Sequence, residues 1–429
     1  MAGPGRRRVA AVLGALALVA GCAAPASTPA SVTAPSPASG SDASARPSPA
    51  GTGLSGTPPA GTSATGPASA AERGIREALD RRAAAVLRHD VPPDDPAART
   101  LGHLAAVPLA TWAYRVLGVD RDGPRAVVRA ELAYTLDGHD AGPVTTGRVL
   151  ELAERDGRWR VTADRPADGA AARIWEQGPV QVVRGARALV LGVGQDRALL
   201  REVAATADRA LPAVTAAWSG RWSGRVVVLV PGSLDAMAAL LGEPVDAYRG
   251  TAAVTTGRPG GGAGAPADRV VVNPEAYREL SGFGRRFVLT HEAVHVATRT
   301  ATTAATPLWL SEGLADRIAY RGTGRSAADA APELARAVRA GDVPAALPAD
   351  GDFSFGGDAG RVARAYEGGW LACELIARRW GGERLAAFYR AAGERGQDRA
   401  FRDVLATDRA AFTRAWRDHL RQELSSAPS

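Results

Sequence analysis

The sequence predicts an α+β protein with two folded units, and three observations carry that expectation. Residues 71–87 show helical spacing of apolar positions and lead into stretches of two-residue alternation. Short apolar runs bounded by glycine and proline resume near residue 180, and from Gly282 the spacing is helical to the end. A chain of 429 residues, 46% hydrophobic and 23% charged, is long enough to bury more than one core.

Residues 1–21 read as a leader. Arg6, Arg7 and Arg8 precede an apolar run too short to span a bilayer comfortably, and the run ends in Val19-Ala20-Gly21-Cys22. That ending resembles a bacterial lipobox. The resemblance implies cleavage before Cys22, lipid on Cys22, and a lipid-anchored place on the extracytoplasmic face of the cell membrane. An uncleaved anchor is the alternative, and it puts the remainder in the same compartment. Residues 22–70 are almost entirely Ala, Ser, Thr, Pro and Gly, with Asp42 and Arg46 charged. Such a composition cannot bury enough apolar surface to fold, so a tether is expected, with a reach on the order of 40 Å if flexible.

Residues 71–166 form the first unit. One helical stretch, "AERGIREALDRRAAAVL", precedes strand-like runs at "TWAYRVLGV", "RAVVRAELAYTL" and "GRVLELAERDGRWRVTAD", the last containing a hairpin signal. One helix followed by antiparallel strands resembles the cystatin-like or nuclear-transport-factor-2-like module. A break at Arg165-Pro166 and a turn at Gly178-Pro179 separate it from a second unit, residues 175–425. This unit opens with strands in "VQVVRGARALVLGV", a helix in "DRALLREVAATADRALPAVTAAW", and apolar strands "RVVVLVP" at 225–231 and "RVVVN" at 269–273. A mixed sheet followed by helices places a site where the two halves meet.

The charge balance excludes one class of partner. All the basic residues are arginine, the formal charge of +7 includes three arginines of the leader, and no run gathers them into a basic stripe. Nucleic acid is therefore not an expected partner. With Cys22 taken by lipid, Cys373 has no cysteine to pair with, and its apolar-periodic surroundings give it the role of a small buried hydrophobe.

The chemistry lies in "VLTHEAVHVAT", residues 288–298. His291 and His295 are four apart, on one face of a helix, with Glu292 beside them. Chance would produce His-Glu-x-x-His in this composition roughly 0.004 times per chain, so context has to add weight. The motif's flanks are uncharged, as a buried helix requires, and "TPLWLSEGLADRIAY" follows, with Thr306 as the expected N-cap and Pro307 at the first helical position. On that second helix Glu312 and Asp316 are also four apart. Two carboxylates at that spacing repel unless a cation stands between them and the histidines. With Glu312 as a third ligand, Asp316 can reach the free ring nitrogen of a ligand histidine.

"HEAVH" followed by "WLSEGLAD" resembles the gluzincin metallopeptidases, most closely the bacterial peptidase-MA-like group, over about residues 180–390. The resemblance implies a zincin-like domain that binds zinc through His291, His295 and Glu312. It also implies Glu292 as general base and Asp316 as support for a histidine. Two imidazoles and one carboxylate leave one coordination place open, as a catalytic zinc site needs and a structural one does not. The stretch "RAYEGGWLACELIARRWGG" resembles the helix that supplies an oxyanion donor, which implies Tyr366, with His419 and Tyr320 as rivals. The expected substrate is a peptide or protein lying beside an edge strand; residues 269–273 are read either as that edge or as an interior core strand. The family's aminopeptidases carry a Gly-x-Met-Glu-Asn stretch, and the methionines here are Met1 and Met237, so an endopeptidase is expected. The alternatives are a non-catalytic zinc-containing binding or sensory lipoprotein, and a zinc hydrolase of a cell-wall amide. The oligomeric state is not readable.

Overall fold

A computed structural model describes residues 69–257, 265–354 and 358–425; the leader, Cys22 and the tether up to residue 68 lie outside the described residues. The chain is α+β, rich in sheet in its first half and mostly helical in its second. Among the described residues no helix is long and apolar enough to cross a membrane.

The first unit holds α1 (Ala70–Leu87), α2 (Ala98–Gly102) and the strands β1 (Leu109–Asp122), β2 (Arg125–Leu136), β3 (Val144–Arg155) and β4 (Arg158–Pro166). Ser69 begins α1 with a reciprocal cap: its hydroxyl accepts from Glu72 N, and the Glu72 carboxylate accepts from Ser69 N. The strands run in order β1-β2-β3-β4, each antiparallel to the next. Asp156 and Gly157 join β3 to β4 with φ of 52° and 69°, the positive pair that a two-residue hairpin needs to match the twist of its strands. Ile75 and Leu79 of α1 bury against Val128, Leu150, Leu152 and Trp159 of the sheet.

The second unit interleaves the strands β5 (Gln181–Arg184), β6 (Ala188–Gly192), β7 (Val226–Val230), β8 (Ala253–Thr255) and β9 (Arg269–Val272) with α3 (Arg197–Ala217), α4 (Leu234–Leu241) and α5 (Pro274–Glu279). The strand order is β5-β6-β7-β9-β8, with β6, β7 and β9 parallel and antiparallel strands at both edges. This order decides between the two readings of residues 269–273 in favour of the interior strand. Residues 269–273 do not form the edge, because β9 lies between β7 and β8, and the edge strand on that side is β8. Burial on both faces explains why the parallel strands read as continuous Val and Leu runs.

The helical part comprises α6 (Gly282–Thr298), α7 (Leu308–Tyr320), α8 (Ala327–Ala330), α9 (Pro332–Arg339), α10 (Ala359–Trp380), α11 (Gly382–Arg395), α12 (Gln397–Leu405) and α13 (Arg409–Leu424). One face of the sheet packs Val190 and Val228 against Leu200 and Val203 of α3 and Val288 and Leu289 of α6. The start of α7 also differs from expectation: Pro307 takes the cap position, while the Thr306 hydroxyl accepts from Thr303 N at 3.0 Å. Trp309, 1% exposed, then packs among Phe388, Phe401 and Phe412. Helices α7 and α10 cross at glycines. A Cβ at Gly313 would stand 2.2 Å from the Gly369 carbonyl oxygen, and one at Gly369 would stand 2.6 Å from that of Trp309, so each position excludes a side chain.

The two units share a core. Trp112, Tyr134 and Leu136 of the first sheet and Trp175 of the connection bury against Leu189, Leu191 and Val227 on the other face of the second sheet. Trp175 lies 5.5 Å from Trp112 and 5.1 Å from Tyr134 between ring centres. Beside this patch Asp140, after β2, accepts both outer nitrogens of Arg269 on β9 at 2.8 Å, and also Ala267 N and Leu136 N. The Asp140 side chain is 0% exposed and that of Arg269 10%. Removing one partner of such a pair leaves a buried charge uncompensated. Asp140→Ala is accordingly expected to cost about 3–5 kcal/mol in urea unfolding, and replacing both residues by apolar ones of similar volume to cost much less.

Candidate metal centre

Helix α6 begins at Ser281, whose hydroxyl accepts from Gly284 N, and is buried on nearly all sides from Phe287 to His295. Its four-residue spacing aims His291 and His295 at α7, where Glu312 meets them. His291 Nε2 and His295 Nε2 are 3.1 Å apart, and Glu312 Oε2 lies 3.2 Å from the first and 3.5 Å from the second. Their exposures are 2%, 3% and 1%. Among the described residues these three form a group whose ligand atoms all lie within 4.8 Å of one another and could hold a metal ion.

The donor set and its dimensions fit zinc. Ligand atoms about 2.0–2.1 Å from a tetrahedral ion stand roughly 3.3–3.4 Å from each other, close to the three separations here. Two imidazole nitrogens facing each other across 3.1 Å also need something positive between their lone pairs. Asp316, one helical turn after Glu312, lies with Oδ1 2.8 Å from His291 Nδ1. That contact fixes the tautomer: Nδ1–H donates to the carboxylate, and Nε2 is left to face the other two donors.

The charges of the cluster follow from its dryness. Burial by itself would push the His291 imidazole down, but hydrogen bonds to Asp316 and Glu312 and their negative charge hold it well above the ordinary 6.5. Burial likewise works to raise Glu312, and the positive field of His295 with the hydrogen bonds of both histidines overrides it, bringing the carboxyl down to about 2.

No protein-family model and no curated protein matches this chain. The geometry therefore has to speak for itself. Glu292 turns toward the sheet rather than toward α7. The Thr255 hydroxyl on edge strand β8 donates to Glu292 Oε2 at 2.6 Å and lies 3.2 Å from the Glu292 carbonyl oxygen, with both residues 2% exposed. A cleft of about 1370 Å³ between the two units passes this strand, lined by Tyr134, Trp175, Thr255, Thr256, Arg269 and Arg299 among others.

Tyr366 lies on α10, 8% exposed, with its ring edge-on to Phe353 at 5.1 Å. Of its two rivals, Tyr320 lies one turn after Asp316 on α7, its hydroxyl donating to the Ala330 carbonyl at 3.4 Å, and His419 sits on α13, 3.9 Å from Glu423. Cys373 is fully buried at 3.8 Å from the Leu310 carbonyl, its thiol pushed up by that burial. Two residues that bear on the site went unread. One is Thr255, in a strand too short to show a period. The other is Glu367, beside Tyr366, whose carboxylate accepts Glu333 N and Leu334 N at the start of α9 while burial lifts it to about 8.

Metal and proton compete for His291 Nε2. Zinc affinity is therefore expected to fall by roughly tenfold for each pH unit below the raised His291 value, as read by competition with a chromogenic chelator across pH 5–8. A Cβ at position 313 would separate α7 from α10 and shift Glu312, the next residue. Gly313→Ala should thus bind zinc at least about 10-fold more weakly in the same assay.

Proposed function

We propose that the protein is a zinc-dependent peptide hydrolase of gluzincin type, an endopeptidase held through lipid on Cys22 at the extracytoplasmic face of the cell membrane. The observation that carries this reading is the meeting of His291, His295 and Glu312 in a dry three-donor cluster, with a separate carboxylate, Glu292, on the next residue of the same helix. A structural site needs only the ligands. The extra carboxylate is what hydrolysis needs.

A zinc ion in this cluster would supply a Lewis acid that polarises a carbonyl and makes water nucleophilic near neutral pH. The chain's own groups do the rest. Asp316 keeps the His291 ring in the tautomer that presents Nε2 inward. Glu292 accepts the proton of the attacking water at the oxygen not engaged by Thr255 and later gives it to the leaving amine. The edge strand β8 would offer an extended peptide main-chain groups to pair with; the cleft beside it is lined by Thr255 but not by Glu292 or the three ligands.

The sheet and helix content supports a zincin-like second unit, and the helix-then-meander arrangement supports a cystatin-like or nuclear-transport-factor-2-like first unit. The resemblance also points to Tyr366 as oxyanion donor. Tyr366→Phe lowers kcat at unchanged KM if the hydroxyl serves that role, whereas packing against Phe353 alone leaves both constants as they were. The principal test is Glu292→Gln, assayed on a quenched-fluorescent peptide library with zinc content measured in parallel. Hydrolysis is expected to fall by about 10²–10⁴-fold with one zinc still bound per chain. Activity retained in this variant would overturn the reading.

A further inference from the structure

We infer that Thr255 is the positioning residue of Glu292, so that edge strand β8 aims the carboxylate that takes the proton. The inference rests on the peptidase reading of the site. It assigns work to a residue outside the metal-binding motif and on a different element from it.

A glutamate carboxylate turns easily about its last torsion, where the wells are broad and two-fold. On a buried helix face, without a fixed donor, its two oxygens would be interchangeable and its plane undetermined. The Thr255 hydroxyl removes that freedom. At 2.6 Å from Oε2 it makes a short hydrogen bond to a charged acceptor, in surroundings where both residues are 2% exposed. Oε1 is then the oxygen left for the proton of water. The same hydroxyl lies 3.2 Å from the Glu292 carbonyl oxygen, so it meets both the main chain and the carboxylate of that residue.

The donor is itself held from three directions. The next residue, Thr256, accepts Arg269 N on its hydroxyl at 2.9 Å and Arg299 Nη2 on its carbonyl at 3.2 Å. Arg299 directly follows the motif helix and is also paired with Asp268, Nε to Oδ2 at 2.5 Å. Arg269 is the residue gripped by Asp140 of the first unit. The strand therefore takes its placement from the motif helix, from β9, and through Asp140 from the first unit.

Zinc-loaded full-length Thr255→Val and Thr255→Ser test the inference beside wild type and Glu292→Gln. Crystal structures would locate the Glu292 carboxylate, and a quenched-fluorescent peptide from the library would give kcat and KM. With Thr255→Val, zinc content is expected to stay at one per chain, the carboxylate to leave its wild-type orientation, and kcat to fall about 10- to 100-fold at little-changed KM. Thr255→Ser, which keeps the hydroxyl, should recover the orientation and most of kcat. A Thr255→Val carboxylate still in place, a kcat equal to wild type, or a Thr255→Ser as impaired as Thr255→Val would each overturn the inference. If Thr255→Val does not fold, Thr255→Cys, similar in size and a weak donor, takes its place. If wild type cleaves no peptide, the peptidase reading fails, while the carboxylate positions in the structures still decide the role of Thr255.

Discussion

Three acceptor atoms, two imidazole nitrogens and one carboxylate oxygen, stand 3.1–3.5 Å apart on deeply buried side chains. Without something positive among them this arrangement is costly, because buried lone pairs and a buried charge have no solvent to turn to. The need for a cation at that point organises the rest. It explains why a second carboxylate, Asp316, is tolerated one turn from Glu312, and why the residues immediately flanking the motif, 288–290 and 296–298, carry no charge. It also fits the negative surroundings of His291, whose partners Asp316 and Glu312 hold its imidazole above the ordinary value.

The packing that brings those atoms together is built from small residues and large aromatics in alternation. Gly313 and Gly369 let α7 and α10 touch along their backbones, and Trp309, four residues before Gly313, fills the space beyond with its ring among three phenylalanines. Glu312 is fixed between these contacts. On the sheet side the second unit is braced by the first, through a shared aromatic core and the Asp140–Arg269 pair. Residues of the first unit, Tyr134 and Leu136 among them, also line the cleft that runs past Thr255.

Much of the centre was legible in the sequence because helices turn short spacings into faces. His291 with His295 and Glu312 with Asp316 are each four apart, and that is enough to place each pair on one side of its helix. The α+β character was legible for the same reason, from two-residue and helical periods. The edge of the sheet was not. β8 is three residues of "TAAVTTGRP", a stretch of small and polar residues with no alternation to see, and its pairing outside β9 is decided by where the chain turns back. Contacts such as Asp140 with Arg269, 129 positions apart, leave no local trace at all. The one-residue offset at Pro307 reflects a common ambiguity of helix starts, where a proline suits either the cap or the first turn.

X-ray absorption at the zinc edge of the purified, zinc-loaded chain addresses the central claim most directly. A single ion held by His291, His295 and Glu312 should give a shell of four or five nitrogen and oxygen neighbours at about 2.0–2.2 Å, with the outer-shell scattering of two imidazoles. A six-oxygen hydrated shell without imidazole scattering would mean that the three side chains do not bind the ion, and the account would fail.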